Sequence, residues 1–214
     1  MKKLLFVAVA AAGLSMGVAH AEDFQPKAKG DLIVHLRLTE VAPDKDAAIL
    51  TSAGAATGLK AHVGNDVMPT LGFTYFLSDK IAVEAILGTT QHSIRAQGPG
   101  TDVLTHKTWV LPPVVTLQYH PLPAARVSPY VGAGINYMLF YGGKDKNGFK
   151  VKVDDGFGYA LQAGVDVAVK GPWSLNADVK KVWFDTDAKI NGGALKAKVN
   201  LDPIVASVGL SRKF

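Results

Sequence analysis

Seven polar side chains lie in stretches where the neighbouring positions are mostly aliphatic or aromatic: His35, Arg37, Glu84, Gln118, Asp166, Asp178 and Lys180. Acids and bases in such places can do acid–base or nucleophilic chemistry, hold a metal, or neutralise one another. Nucleophilic chemistry requires a base in register with a nucleophile and a third group orienting the base. His92-Ser93, and His106 with Asp102, offer the residue types, but nothing in their spacing orients one against another. Metal chemistry fares no better, because the histidines at 35, 62, 92, 106 and 120 lack ligand spacing and cysteine is absent. Gly98-Pro99-Gly100 and Gly192-Gly193 are loop glycines, with no strand-to-helix context that would make a phosphate cradle. Mutual neutralisation remains: charged groups crowded out of water must be paired. The expectation is a protein that is not an enzyme and uses no cofactor or metal.

The elements that carry these residues read as strands. Around Asp31–Thr39, Leu32, Val34, Leu36 and Leu38 alternate with Ile33, His35, Arg37 and Thr39. Comparable alternation recurs over 70–77, 81–88, 109–120, 131–141, 157–168, 173–180 and 204–214. A period of two places one set on each face of a sheet. That makes eight strands, an even number, with the phase uncertain and a bulge expected at Lys180-Lys181. Pro112-Pro113 falls inside the fourth strand, where two ladder donors are lost. Connections alternate between short ones (78–80, 121–127, 170–172) and long ones, read as loops, over 43–67, 95–107, 142–155 and 186–199. Short turns on one side and long loops on the other are the habit of outer-membrane barrels.

The face on which each residue type falls decides the surroundings. Trp109, Tyr141, Phe157, Tyr159 and Trp183 fall on the apolar face near the long-loop ends; Tyr75, Tyr119, Trp173 and Phe214 fall near the short-turn ends. Two aromatic belts around an aliphatic middle match two membrane interfaces. A soluble barrel would invert the arrangement, with greasy residues inside and charges outside; here the face opposite the aromatic belts carries too many ionisable groups for an unwatered soluble core. At the amino terminus, Lys2-Lys3, an apolar run from Leu4 to Val18 and Ala19-His20-Ala21 form a secretory signal peptide over residues 1–21, leaving 22–214 as the barrel. The formal charge of +5 falls by two with that peptide, too little and too dispersed for nucleic acid. The fold class is therefore all-β, an eight-stranded antiparallel transmembrane β-barrel in the bacterial outer membrane, its final strand ending on Phe214.

Several separated segments carry a family resemblance: Leu71-Gly72-Phe73-Thr74-Tyr75, Leu111-Pro112-Pro113, Pro129 to Tyr137, Val153-Asp154-Asp155-Gly156-Phe157-Gly158, and the terminal Leu201-Asp202-Pro203 to Phe214. Together these resemble the OmpW family of small outer-membrane proteins, which includes AlkL-type uptake proteins. The resemblance implies a narrow apolar channel passing small hydrophobic molecules inward, with release sideways into the membrane, and in some members a colicin-receptor role. Arg212 departs from the family's usual aromatic residue and is expected to snorkel into the periplasmic headgroup layer. Lys180 departs from a bulky apolar lumen residue found in some relatives.

Eight strands enclose room for side chains or one slim ligand. Sorted by strand direction, the inward residues give two zones. A polar plug is expected from His35, Arg37, Glu84, Gln118, Asp166, Asp178 and Lys180. A hydrophobic path is expected above it from Ile86, Val110, Pro112, Met138, Phe140, Val182 and Phe184. The reading is passive uptake of small hydrophobic solutes, with outer-membrane lipids as surroundings and a monomer as the unit. The alternative is a structural or surface-recognition barrel that binds a bacteriocin or phage through its loops.

Overall fold

The computed structural model describes residues 24–43 and 46–214; the expected signal peptide lies outside them. In chain order the strands are β1 (Leu32–Ala42), β2 (Asp46–Thr51), β3 (Ala56–Val63), β4 (Asp66–Phe76), β5 (Ile81–Leu87), β6 (Thr90–Gly98), β7 (Thr101–Leu111), β8 (Val114–Tyr119), β9 (Val127–Asp145), β10 (Val151–Val153), β11 (Gly156–Lys170), β12 (Trp173–Trp183), β13 (Asp185–Ile190), β14 (Leu195–Asn200) and β15 (Ile204–Lys213). One short 3-10 turn, Asn191–Gly193, joins β13 to β14.

Eight of these strands close on themselves. Antiparallel ladders run β1–β4–β5–β8–β9–β11–β12–β15 and return from β15 to β1. The C-terminal strand is thus the closing stave, with His35 opposite Ser211 and Leu36 opposite Leu210. Closure removes free sheet edges, which hydrocarbon would not tolerate. Gly209 permits it: a Cβ there would overlap the Leu36 carbonyl and the Arg37 backbone.

The ring is inside out relative to a soluble protein. Leu36, Leu38, Leu117, Val131, Ile135, Leu161 and Leu210 are exposed on its outer face, and Phe157 is 75% exposed. Arg37, Glu84 and Lys180 are at most 2% exposed on the inner one. Both aromatic belts are present on the outside, with Tyr159 stacked on Trp183 at 5.2 Å between ring centroids in the upper belt. In the lower belt, Arg212 points outward, its guanidinium 5.4 Å from the Trp173 ring and 4.7 Å from the Phe214 ring.

Three expectations need correction. The long connections are not loops: β2, β3, β6, β7, β10, β13, β14 and the upper half of the 19-residue β9 build a second wall continuing the barrel outward. Their inward positions are filled by small residues such as Ala61, Ala96, Ala188 and Ala197, so the alternation has little hydrophobic amplitude. The fourth strand is two strands, because Pro112-Pro113 ends β7 and β8 starts at Val114. No bulge occurs at Lys180-Lys181; β12 pairs with β11 without a shift from Ser174 to Trp183, and the irregularity in this hairpin lies at Ala168/Lys170, beside Trp173. Asn176, Asp178, Lys180, Val182 and Phe184 were in phase throughout.

Candidate functional site

The plug is built from alternate residues of six staves. Arg37 Nη1 on β1 lies 2.7 Å from Glu84 Oε1 on β5, an ionic contact lacking hydrogen-bond alignment. Arg37 Nε donates to Asn176 Oδ1 on β12 at 2.6 Å. Lys180 Nζ lies 2.5 Å from Asp178 Oδ1 and 3.2 Å from Glu84 Oε2. Gln162 Nε2 on β11 donates to Glu84 Oε2 at 2.7 Å and to Asp178 Oδ2 at 2.6 Å, while Gln118 Nε2 on β8 adds a fourth contact to Glu84 at 3.1 Å. The Tyr130 hydroxyl on β9 donates to Asp178 Oδ2 at 2.8 Å. Glu84 therefore faces two cations and two amide donors, and none of these groups reaches water. Such a network holds only as a whole: its charges are desolvated, and each depends on the others for compensation.

The periplasmic half of the plug contains a residue outside the sequence reading. The segment before β1 folds beneath the barrel, with Phe24 bridged to Gly171 and the Lys27 amide donating to the Pro123 carbonyl at 3.1 Å. This sends Lys27 Nζ up to Asp166 Oδ2 at 2.6 Å and Ser128 Oγ at 3.0 Å. Asp166 also accepts from Asn176 Nδ2 at 2.8 Å, which ties the two halves together. His35 bonds Ser211 and Thr74, at 2.6 and 2.9 Å. Nothing in the pattern around Lys27 flagged it, because it precedes any alternation.

Above the plug the lining changes character. A narrow vestibule of about 40 Å³ is walled by Val41, Met68, Ile86, Pro112, Val114, Met138, Val182 and Val205, with Asn136, Lys180, Thr39 and Thr70 as its polar lining. Above it, sharing Val41, Pro112, Met138 and Pro203 as lining, lies an apolar chamber of about 60 Å³. Val110, Pro112, Met138 and Phe140 line that chamber, while Phe184, buried with Val110, Met138 and Val182, lines neither space. The upper wall adds residues that the sequence reading assigned to loops: Ile49, Ala61, Ala96, Ala188, Ile190, Ala197 and Val199 form one buried cluster.

Two interruptions pierce this wall. The first is in the barrel at the vestibule's level. β5 pairs with β4 only up to Leu87 opposite Leu71 and with β8 only up to Ile86 opposite Val114, and β6–β7 pairing starts at Thr90 opposite Val110. Gly88-Thr89 and Pro112-Pro113 occupy the gap and belong to no strand. Proline supplies no N–H for a ladder, so these residues enforce the interruption rather than merely accompany it. The second lies higher, between upper β9 and β10, where a polar slot of about 460 Å³ is lined by His106, Asp145, Lys152, Asp154 and Asp155. Asp145 Oδ1 accepts from the Val151 amide at 3.0 Å and from His106 Nδ1 at 2.9 Å. The Val151 bond first, then the His106 bond, hold the Asp145 carboxyl below the usual carboxylate range. Asp155 takes the Phe140 amide at 2.8 Å at the foot of the slot, so the Asp154-Asp155 pair borders a side opening.

One further titratable group stands beside the chamber. His92 on β6 is 6% exposed, with Nδ1 on the Gly64 carbonyl at 2.8 Å and Nε2 on Thr90 Oγ1 at 3.0 Å. Burial pushes its imidazole below the ordinary value of 6.5, against the raising influence of the Gly64 carbonyl. No cluster of histidine, cysteine or carboxylate with metal-binding geometry occurs among the described residues.

Known proteins share this architecture. The OmpW family description matches residues 28–214. The outer-membrane protein y4mB of Sinorhizobium fredii is 40% identical over 167 residues, 76% of this chain and 72% of its own length. Outer membrane protein W of Escherichia coli K12 is 31% identical over the full length of both chains. Among solved structures, OprG from Pseudomonas aeruginosa superposes with a TM-score of 0.83 at 30% identity, covering 90% of this chain and 99% of that one. AlkL in lipid bilayers gives 0.70 at 27% identity, covering 93% and 97%. The apolar outer face therefore meets the lipid of the bacterial outer membrane.

Proposed function

Since this chain belongs to the OmpW family of outer-membrane barrels, we propose that it passes small hydrophobic molecules from the outside into the membrane. The solute enters the apolar chamber, descends to the vestibule, and leaves sideways through the break at Gly88-Thr89 and Pro112-Pro113. The observation that carries the reading is a pair of adjoining apolar cavities, sharing Val41, Pro112, Met138 and Pro203, the lower of which ends on a buried charge network while touching that break: Gly88 and Pro112 both line the vestibule. Apolar surface lowers the free energy of a greasy solute by roughly 25 cal/mol for each Å² removed from water. The plug offers such a solute no apolar contact. Continuing down requires separating paired, desolvated charges, whereas moving sideways exchanges one apolar surrounding for another.

Two relatives give the reading chemical colour. The Pseudomonas proteins named PahQ and DoxH, each 30% identical over 83% of this chain, bear the description dibenzothiophene metabolism operon protein. Dibenzothiophene is a flat apolar molecule, of the class the chamber suits. The test is uptake of a fluorescent polycyclic hydrocarbon into vesicles containing the purified protein. Met138→Asp or Phe140→Asp places a carboxylate in the apolar path and should reduce protein-dependent uptake at least tenfold, because a desolvated lone charge costs several kcal/mol. Unchanged uptake in folded variants overturns the route.

A further inference from the structure

Resting on the uptake reading, we propose that the vestibule floor recognises a hydroxyl group, so that the preferred solutes are compact apolar alcohols and phenols rather than plain hydrocarbons. Asn136 on β9 is 1% exposed, and both its Nδ2 and its Oδ1 lack a hydrogen-bond partner. It lines the vestibule. A buried amide with both ends open is uncommon, since burying polar atoms unpaired costs free energy. The other polar groups of this lining are already engaged. Thr39 bonds Thr70 at 2.7 Å and Ser207 at 2.9 Å, and Lys180 is held by Asp178 and Glu84.

The place for Asn136 is made by a glycine. Gly158 stands opposite it across the β9–β11 ladder, and a Cβ on Gly158 would overlap Asn136 Oδ1. Any larger residue would drive the amide out of its position, so the backbone accommodates an orphaned polar group on an otherwise greasy wall.

The open atoms define what fits. Nδ2 donates and Oδ1 accepts, so the matching group must both accept and donate, and in a narrow apolar space the smallest such group is favoured. A hydroxyl does both, whereas a ketone or ether only accepts and leaves Oδ1 unpaired. A carboxylate fails on the same count and on charge, because the plug below already balances Arg37, Lys180 and Lys27 against Glu84, Asp178 and Asp166. The remainder of the ligand would pack on Val114, Met138 and Val182, the apolar residues around the amide. A single water could occupy the same position, and a ligand hydroxyl would replace its bonds rather than forfeit them.

The experiment compares 2-naphthol with naphthalene on the full barrel in lipid nanodiscs, reading binding from the ¹⁵N-labelled Asn136 side-chain amide signal and by competition with a fluorescent hydrocarbon. Wild-type protein should bind naphthol about tenfold more tightly than naphthalene, the size expected for two neutral hydrogen bonds exchanged against water. Asn136→Leu should bring naphthol down to the naphthalene affinity and leave naphthalene within twofold. Equal affinities in wild type, or a naphthol preference that survives Asn136→Leu, overturn the inference while leaving hydrocarbon uptake standing; binding of neither probe overturns both. Should Asn136→Leu fail to assemble, the wild-type amide signal decides. A shift with naphthol but not naphthalene supports the site, and no shift with naphthol removes it.

Discussion

Glu84 is the residue on which the plug turns. It is fully buried between Arg37 and Lys180 and accepts from Gln162 and Gln118. Replacing it with glutamine keeps the shape but leaves two buried cations sharing one fewer carboxylate. Breaking a buried pair by removing one partner costs about 3–5 kcal/mol. Glu84→Gln should lower the urea midpoint of the barrel accordingly, measured by loss of the compact folded band on unheated gels; a loss under about 1 kcal/mol would mean that water reaches the network. His92 supplies a pH signature at the same scale. Its imidazole resists protonation in the fold, so above 6.5 it is neutral in both folded and unfolded chains and weakens neither. As pH falls below 6.5 the unfolded chain takes up the proton first, and stability declines until the folded chain's lowered pKa is passed. Part of the loss in stability between pH 7 and 5 should therefore vanish in His92→Gln, and identical slopes in the two proteins would show that His92 contributes none of it.

At the scale of elements, the wall break is a testable device. A Cβ on Gly88 would overlap the Thr70 methyl at 2.6 Å, so a sulfur replacing that methyl would lie beside it, and the chain holds no cysteine of its own. Gly88→Cys with Thr70→Cys should form a disulfide that ties β4 to the interruption. Oxidised protein should then take up hydrocarbon at least fivefold more slowly than the same protein after reduction, in the vesicle assay. Equal rates would place the exit elsewhere. The barrel staves were legible because their outward faces carry Leu, Val and aromatic side chains whose contrast with the inner face survives in a plain reading of alternate positions. The upper wall was harder to see for the opposite reason. In β13 and β14 the pattern is present, with Thr186, Ala188, Ile190, Ala197 and Val199 inward and Asp185, Asp187, Lys189, Lys196 and Lys198 outward. Alanine and threonine give it little contrast, and water rather than lipid on the outside removes the greasy exterior that marks the membrane strands. Shortening residues 43–67 would therefore remove Ile49, Ala61 and Val63 from the chamber along with any surface that a bacteriocin or phage could hold.

For the whole molecule, the stacked zones give a conductance prediction. The lumen at plug height is filled by side chains from six staves and by Lys27 from below, so planar bilayers containing the protein should show no steady ion current at neutral pH. A sustained ohmic current that is altered by neutralising Glu84 or Asp178 would mean an open pore. The position of the plug was readable from polar residues in phase with the strands. Lys27 was not, since its role depends on the chain doubling back beneath a barrel that local pattern does not describe.

The plug also bears on how the barrel is made. Arg37 comes from the first stave, Glu84 from the third, and Asn176 and Lys180 from the seventh, while Ser211 on the last stave completes the hydrogen bonds of His35. Partners so far apart in the chain meet only once the sheet has curled shut. Until then every one of these groups needs water, and an open, half-curled sheet cannot carry them bare into hydrocarbon. The charges therefore act as a timing device in assembly: insertion and closure must proceed together, since the last strand to arrive supplies Ser211 to the first strand's His35 and closes the ring that holds Asn176 against Arg37.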